Sequence, residues 1–151
     1  MIKFEMLSED NVSEVWELEK RCFDDPWTYK MFESELDNRI SVYIVGRDID
    51  CGAVAAYGGV WTMYDSADIT NVAVAPEYRR EGLGSELLRL LVKVCTERGI
   101  KTVNLEVKAS NSAALALYEK FGFVRCGLRK KYYHNTDDAV LMHMETNEIS
   151  D

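Results

Sequence analysis

The chain predicts a single mixed α/β (α+β) domain over residues 1–151, with a mixed central β-sheet flanked by helices on both faces. Three observations carry this expectation. Apolar and polar residues alternate in several short runs, whereas longer segments repeat apolar residues at helical spacing. The two kinds of segment interleave along the chain instead of separating into halves. Only two prolines occur, Pro26 and Pro76, and there is no repeat or low-complexity tract, so nothing reads as a linker.

Residues 2–7 alternate as a short strand, with Ile2, Phe4 and Met6 on one side and Lys3 and Glu5 on the other. Ser8 is a suitable N-cap for the helix that follows, in which Val12, Val15, Trp16 and Cys22 fall on one stripe. The run Phe23-Asp24-Asp25-Pro26-Trp27-Thr28 breaks it, and Thr28 caps a second helix reaching about Asn38. Residues 42–45 form a strand, 48–50 a turn, and 52–60 the hairpin partner. The β-branched segment 68–75 is a further strand. From Gly82 to Arg98, Leu83, Leu87, Leu88, Leu90, Leu91, Val94 and Cys95 mark an amphipathic helix that Gly99 stops. Residues 102–108 then alternate, Val103, Leu105 and Val107 inward and Asn104, Glu106 and Lys108 opposite. Ser110-Asn111 opens a short helix ending at Phe121-Gly122, and two closing strands follow near 124–128 and 139–145.

A chain of 151 residues buries enough surface to fold without a metal or disulfide staple. Its net charge of −8 argues against a phosphate-tracking nucleic-acid binder and suits cationic partners such as basic peptides or polyamines; ordinary surface acidity explains it equally. No apolar run approaches the roughly 20 residues that span a bilayer, and the N-terminus lacks a secretion signal. The cysteines Cys22, Cys51, Cys95 and Cys126 are widely spaced, and only His134 and His143 could join them, so no zinc site is expected. Free thiols suit a cytoplasmic protein, and no membrane or nucleic-acid partner is expected.

The stretch Pro76-Glu77-Tyr78-Arg79-Arg80-Glu81-Gly82-Leu83-Gly84 joins a strand to the long helix. Its glycines let backbone N–H groups turn inward, the helix N-terminus adds unsatisfied donors, and Arg79 and Arg80 add charge, which together make an anion site. A generic tight turn is the alternative. The pattern is neither a P-loop nor a dinucleotide fingerprint. In its strand-to-helix setting, however, Arg79-x-x-Gly82-x-Gly84 resembles the acetyl-CoA motif of the GNAT acetyltransferases, and the element order is similar to theirs over essentially the whole chain. The resemblance implies that Arg79, Arg80, Glu81, Gly82, Leu83, Gly84 and Ser85 hold the CoA pyrophosphate, mostly by main chain. It also implies that the strand through Asn71, Val72, Ala73 and Val74 pairs with the pantetheine arm, with an N–H near Val74 facing the thioester oxygen.

The second half, Leu105-Glu106-Val107-Lys108-Ala109-Ser110-Asn111 followed by Ala113 and Ala114 and by Leu117-Tyr118 and Gly122-Phe123, resembles the ribosomal-protein-alanine N-acetyltransferase (RimI) group within that family. Lys108 stands where arginine is usual and keeps the charge. Pro26-Trp27-Thr28 and the segments 129–133 and 138–142 agree with that group. An amine at neutral pH must lose a proton before it can attack a thioester, and a strand carboxylate such as Glu106 can take it. The resemblance implies this role for Glu106, that of general acid to the departing thiolate for Tyr118, and a CoA contact for Asn111. The alternatives are a solvated strand glutamate, a core aromatic packed with Leu115 and Phe121, and a helix cap.

Trp27, and Tyr132 and Tyr133 in the loop between the closing strands, are implied to line the peptide site, where Asp24 and Asp25 could attract arginines; a hairpin rim with a solvated charge pair is the other explanation. Both histidines are expected to be structural. The implied activity is direct acetyl transfer from acetyl-CoA, in a ternary complex and without a metal, to the N-terminal alanine of a ribosomal protein, carried out by a monomer. The rivals are a GNAT enzyme acting on a small amine (polyamine or aminoglycoside), a non-catalytic CoA-binding interaction module and, more distantly, a nucleotide-binding regulator.

Overall fold

The computed structural model describes residues 1–133 and 137–146, with 131–133 described by backbone alone. In chain order the elements are β1 (Ile2–Met6), α1 (Val12–Cys22), α2 (Tyr29–Glu35), β2 (Ser41–Asp48), β3 (Val54–Met63), β4 (Ser66–Val74), a 3-10 turn (Pro76–Tyr78), α3 (Leu83–Glu97), β5 (Thr102–Lys108), α4 (Ser112–Phe121), β6 (Val124–Tyr133) and β7 (Asp137–Glu145). The strands form one sheet ordered β1-β2-β3-β4-β5-β7-β6. β4 and β5 pair in parallel and the outer pairs are antiparallel, so the sheet is mixed, as the sequence predicts. The chain divides into two compact units, Met1–Trp61 with Thr70–Leu91, and Thr62–Ile69 with the chain from Val92 onward.

The first unit has a core of Val12, Val15, Leu18, Phe32, Tyr43, Val45, Tyr57, Ala73 and Ala75. Burying these side chains supplies the main driving force for its folding. α1 begins later than the sequence suggests. Ser8 accepts the Asp10 N–H in a turn, and the cap position falls to Asn11. The Asn11 side chain is buried because it bonds elsewhere: its Oδ1 accepts the Ser8 N–H at 2.8 Å, and its Nδ2 donates to Glu5 Oε2 and the Met6 carbonyl. Thr28 caps α2 as predicted, accepting the Met31 N–H at 3.2 Å. In the β2–β3 ladder Tyr43 stands opposite Gly59, and a Cβ on that glycine would overlap the tyrosine ring. Arg47 sits where the ladder slips by a residue and binds Glu5 and Glu14.

In the second unit the alternation along β5 holds, with Val103, Leu105 and Val107 buried. β5 pairs with β7 over its full length, Glu106 standing opposite Leu141 and Lys108 opposite Ala139. Asn111 caps α4, its Oδ1 accepting the Ala114 N–H at 3.1 Å, and Gly122 ends the helix at φ +126°. β6 runs further than predicted: Tyr132 and Tyr133 are strand residues, Tyr133 facing Asp137, not members of a loop. A register shift between Arg125 and Gly127 bends the strand and lets the ladder resume beyond it. His143 is a β7 residue opposite Asn104, whereas His134 lies outside the described residues.

Candidate active site

Residues 71–74, 79–85 and Trp27 belong to the first unit; Glu106, Asn111, Tyr118, Tyr132 and Tyr133 belong to the second. Within the first, β4 leads through the 3-10 turn into a loop where Arg80 (φ +67°) and Gly82 (φ +78°) are left-handed on either side of Glu81. Such alternation aims successive N–H groups to one side, a geometry suited to an anion. A Cβ at Gly82 would meet nothing within 4 Å, so glycine serves the backbone conformation and not the space. The Glu86 N–H donates to the Gly82 carbonyl at 3.1 Å, which puts the N–H groups of Leu83, Gly84 and Ser85 ahead of the first helical bond. At the start of the 15-residue α3, these donors suit a pyrophosphate.

The arginine side chains contribute less directly than charge counting suggests. Arg79 turns back onto β4, its Nε donating to the Val74 carbonyl at 3.0 Å and its Nη2 lying near Cys22 Sγ. Burial pushes the Cys22 thiol above the ordinary value, opposed by Arg79. Ala73 is buried, and Val72 and Val74 are half-buried. Glu81, Gly82 and Leu83 also line a cleft of about 510 Å³ with Asp48, Tyr78 and Glu86. Its carboxylates make that cleft a poor place for phosphate.

In the second unit Glu106 lies on the polar side of β5, its side chain 32% exposed, with Arg129 Nη2 at 3.0 Å from its Oε1. That reach crosses β7, where Ala139, the residue opposite Arg129 in the ladder, is too small to block it. Tyr118 is buried at 8% exposure, and its ring packs edge-on against Phe123 at 5.8 Å. Asn111 uses its amide oxygen as the α4 cap.

Two buried carboxylates escape sequence reasoning. Glu19, 2% exposed, accepts the Trp27 N–H at 2.8 Å, the Asn71 Nδ2 at 3.1 Å and the Tyr57 hydroxyl. Glu35 accepts the Trp61 indole N–H and the Asn38 amide. Glu19 falls four residues after Val15 on the apolar stripe of α1, and a carboxylate on a buried stripe is the signal that could have found it. Burial raises the Tyr57 and Tyr43 hydroxyls above the ordinary tyrosine value, and the Glu19 carboxylate raises Tyr57 further. Trp27 is held at both ends of its residue, since its carbonyl accepts the Trp16 indole N–H at 3.1 Å. Its ring sits among Phe32 (5.1 Å), Tyr43 and Trp61 (both 6.3 Å).

Comparison with known proteins agrees with this architecture. The family described as Acetyltransferase (GNAT) matches residues 12–123. A Bacillus subtilis (strain 168) protein named as a candidate [ribosomal protein bS18]-alanine N-acetyltransferase is 41% identical over 142 residues, 92% of either chain. The Escherichia coli (strain K12) [ribosomal protein bS18]-alanine N-acetyltransferase is 39% identical over 130 residues, 84% of this chain and 86% of that one. The crystal structure of the ribosomal-protein-S18-alanine N-acetyltransferase from Escherichia coli superposes with a TM-score of 0.88 at 33% identity, covering 97% of this chain and 94% of the other. A donor-lined turn between β4 and α3, in a mixed seven-stranded sheet and a sequence matched over most of its length, makes this chain a member of the GNAT acetyltransferase family.

Proposed function

We propose that this protein transfers the acetyl group of acetyl-CoA to the N-terminal alanine amine of ribosomal protein bS18, acting as a monomer in the cytoplasm. The observation that carries this reading is 39% identity to the Escherichia coli enzyme of that name over 84% of the chain. The four cysteines are free, which suits a reducing compartment, and among the described residues no helix is long and apolar enough to cross a membrane.

The nest at Arg80–Gly82 and the first N–H groups of α3 form a donor set that fits the pyrophosphate of acetyl-CoA. Bound there, acetyl-CoA supplies an activated acyl carbon and a thiolate leaving group. The protein's own residues then manage protons. The Glu106 carboxylate accepts the proton of the substrate ammonium, directly or through a water, and so exposes the nitrogen lone pair. The Arg129 guanidinium beside it fixes the carboxylate's orientation. The Tyr118 hydroxyl donates its proton to the departing sulfur, while packing against Phe123 holds the ring in place. A backbone N–H near Val74 offers a donor to the developing oxyanion. The family resemblance assigns Trp27, Tyr132 and Tyr133 to the peptide and Asn111 to CoA.

Mass spectrometry of bS18 after incubation with the protein and isotopically labelled acetyl-CoA tests the reading. One labelled acetyl group on the N-terminal alanine is expected. Label only on small amines added to the same mixture would overturn the substrate assignment, and absence of CoA release with any amine would overturn the activity.

A further inference from the structure

We propose that Glu19 is a positioning residue for the acceptor peptide, tying the turn that carries Trp27 to the β4 residue Asn71 through one buried carboxylate. The inference rests on the acetyl-transfer reading above and on Trp27 meeting the peptide.

The geometry gives Glu19 an unusual task for a helix residue. Oε2 receives the Trp27 N–H at 2.8 Å, and Oε1 receives both the Asn71 amide at 3.1 Å and the Tyr57 hydroxyl. A buried carboxylate is costly to desolvate, and here neutral donors from the α1–α2 turn, β3 and β4 offset that cost. An apolar residue of similar size would fill the site at less expense, but it would leave the Trp27 N–H without its acceptor. With the Trp16 indole on the Trp27 carbonyl, α1 grips both polar groups of that residue and fixes the height at which its ring is presented. Asn71 is itself oriented from its other end, its Oδ1 accepting the Tyr43 hydroxyl and the Thr70 hydroxyl, each at 2.9 Å. The network therefore has a direction. Tyr43 and Thr70 set Asn71, Asn71 and Tyr57 set Glu19, and Glu19 sets Trp27.

Glu19→Ala and Glu19→Gln in the full chain test this, with KM for a bS18 N-terminal peptide, KM for acetyl-CoA, and hydrogen exchange at the Trp27 amide as readouts. The alanine variant is expected to raise the peptide KM about tenfold or more while the acetyl-CoA KM stays within about threefold, and to remove protection of the Trp27 amide. Glutamine can still accept from Trp27 and can donate to the Tyr57 oxygen, but its NH2 cannot accept from Asn71, so it is expected to recover protection of the Trp27 amide and part of the lost affinity. A merely structural role predicts a lower melting temperature with both KM values moving together or not at all, and either result in a folded variant overturns the proposal. Should Glu19→Ala fail to give a cooperative melt, Tyr57→Phe together with Glu19→Gln decides by the same split between the two KM values. Wild-type protein that leaves the peptide unmodified overturns the functional reading and this inference with it. Wild-type activity with an unchanged peptide KM in the variants overturns this inference alone.

Discussion

Glu106 and Glu19 are the same amino acid in opposite surroundings. The first lies on the polar side of the inner strand β5, partly exposed, with the Arg129 guanidinium 3.0 Å away. The second is enclosed by donors that hold it as an acceptor. Glu106→Gln is expected to lower kcat by about 10²–10⁴-fold, most strongly at pH values below the pKa of the substrate amine, as read from a pH–rate profile. An equal loss at all pH values would assign Glu106 to binding. Tyr118→Phe keeps the ring against Phe123, so stability should change by no more than about 1 kcal/mol and acetyl-CoA should bind unchanged by calorimetry, while turnover falls. The place of Glu106 on the polar side of β5 was legible because a clean strand alternation surrounds it. Glu19 showed only as a carboxylate on the apolar stripe of α1, because the partners that keep it buried, Tyr57 and Asn71, lie 38 and 52 residues away.

Elements were more legible than their ends. Every predicted helix and strand forms, because periodicity is a property of many residues together. Several boundaries moved, including the end of α2 (Glu35, not about Asn38) and the span of β3 (Val54–Met63, not 52–60), and two further shifts have local reasons. The cap position of α1 falls to Asn11 and not Ser8, and the Asn11 amide makes no cap bond but ties the turn to Glu5, Met6 and Ser8. β6 reached Tyr133 because a register shift restores its pairing with β7. The loop between β4 and α3 was read from two glycines, but only one of them needs its special conformation. Gly84 sits inside the helix, and the second left-handed position belongs to Arg80, which no sequence rule singles out. Gly82→Ala should therefore cost about 1–2 kcal/mol in denaturant titrations and weaken acetyl-CoA binding, because the left-handed turn that aims the donors becomes strained. An unchanged affinity would show that the donors alone, whatever their aim, suffice.

At the scale of the molecule, stability should fall at both extremes of pH. The carboxyls of Glu5, Asp48, Glu77 and Glu86 lie below their ordinary values through bonds from Arg47, Tyr78, Arg21 and Arg89 respectively, with Asn11 adding to the effect on Glu5. A carboxyl lowered in the folded state contributes fully above its unfolded value, and that contribution is lost as pH falls through the folded one. Denaturant midpoints should thus be level near pH 6 and decline below about pH 4. Arg47→Ala should remove the larger part of the share carried by Glu5, leaving the part that Asn11 supplies. Tyr43 and Tyr57 are raised above 10.0 by burial, so their contribution is full below that value and is lost as pH climbs past it. A midpoint flat from pH 3 to pH 11 would contradict both statements. Tyr43 has a last consequence through its cross-strand neighbour. The ring occupies the space a side chain at position 59 would need, and its hydroxyl is anchored to Thr70 and Asn71, so it cannot swing aside cheaply. A side chain at position 59 therefore becomes admissible only where position 43 already carries something smaller than tyrosine, so change at these two positions has an obligatory order.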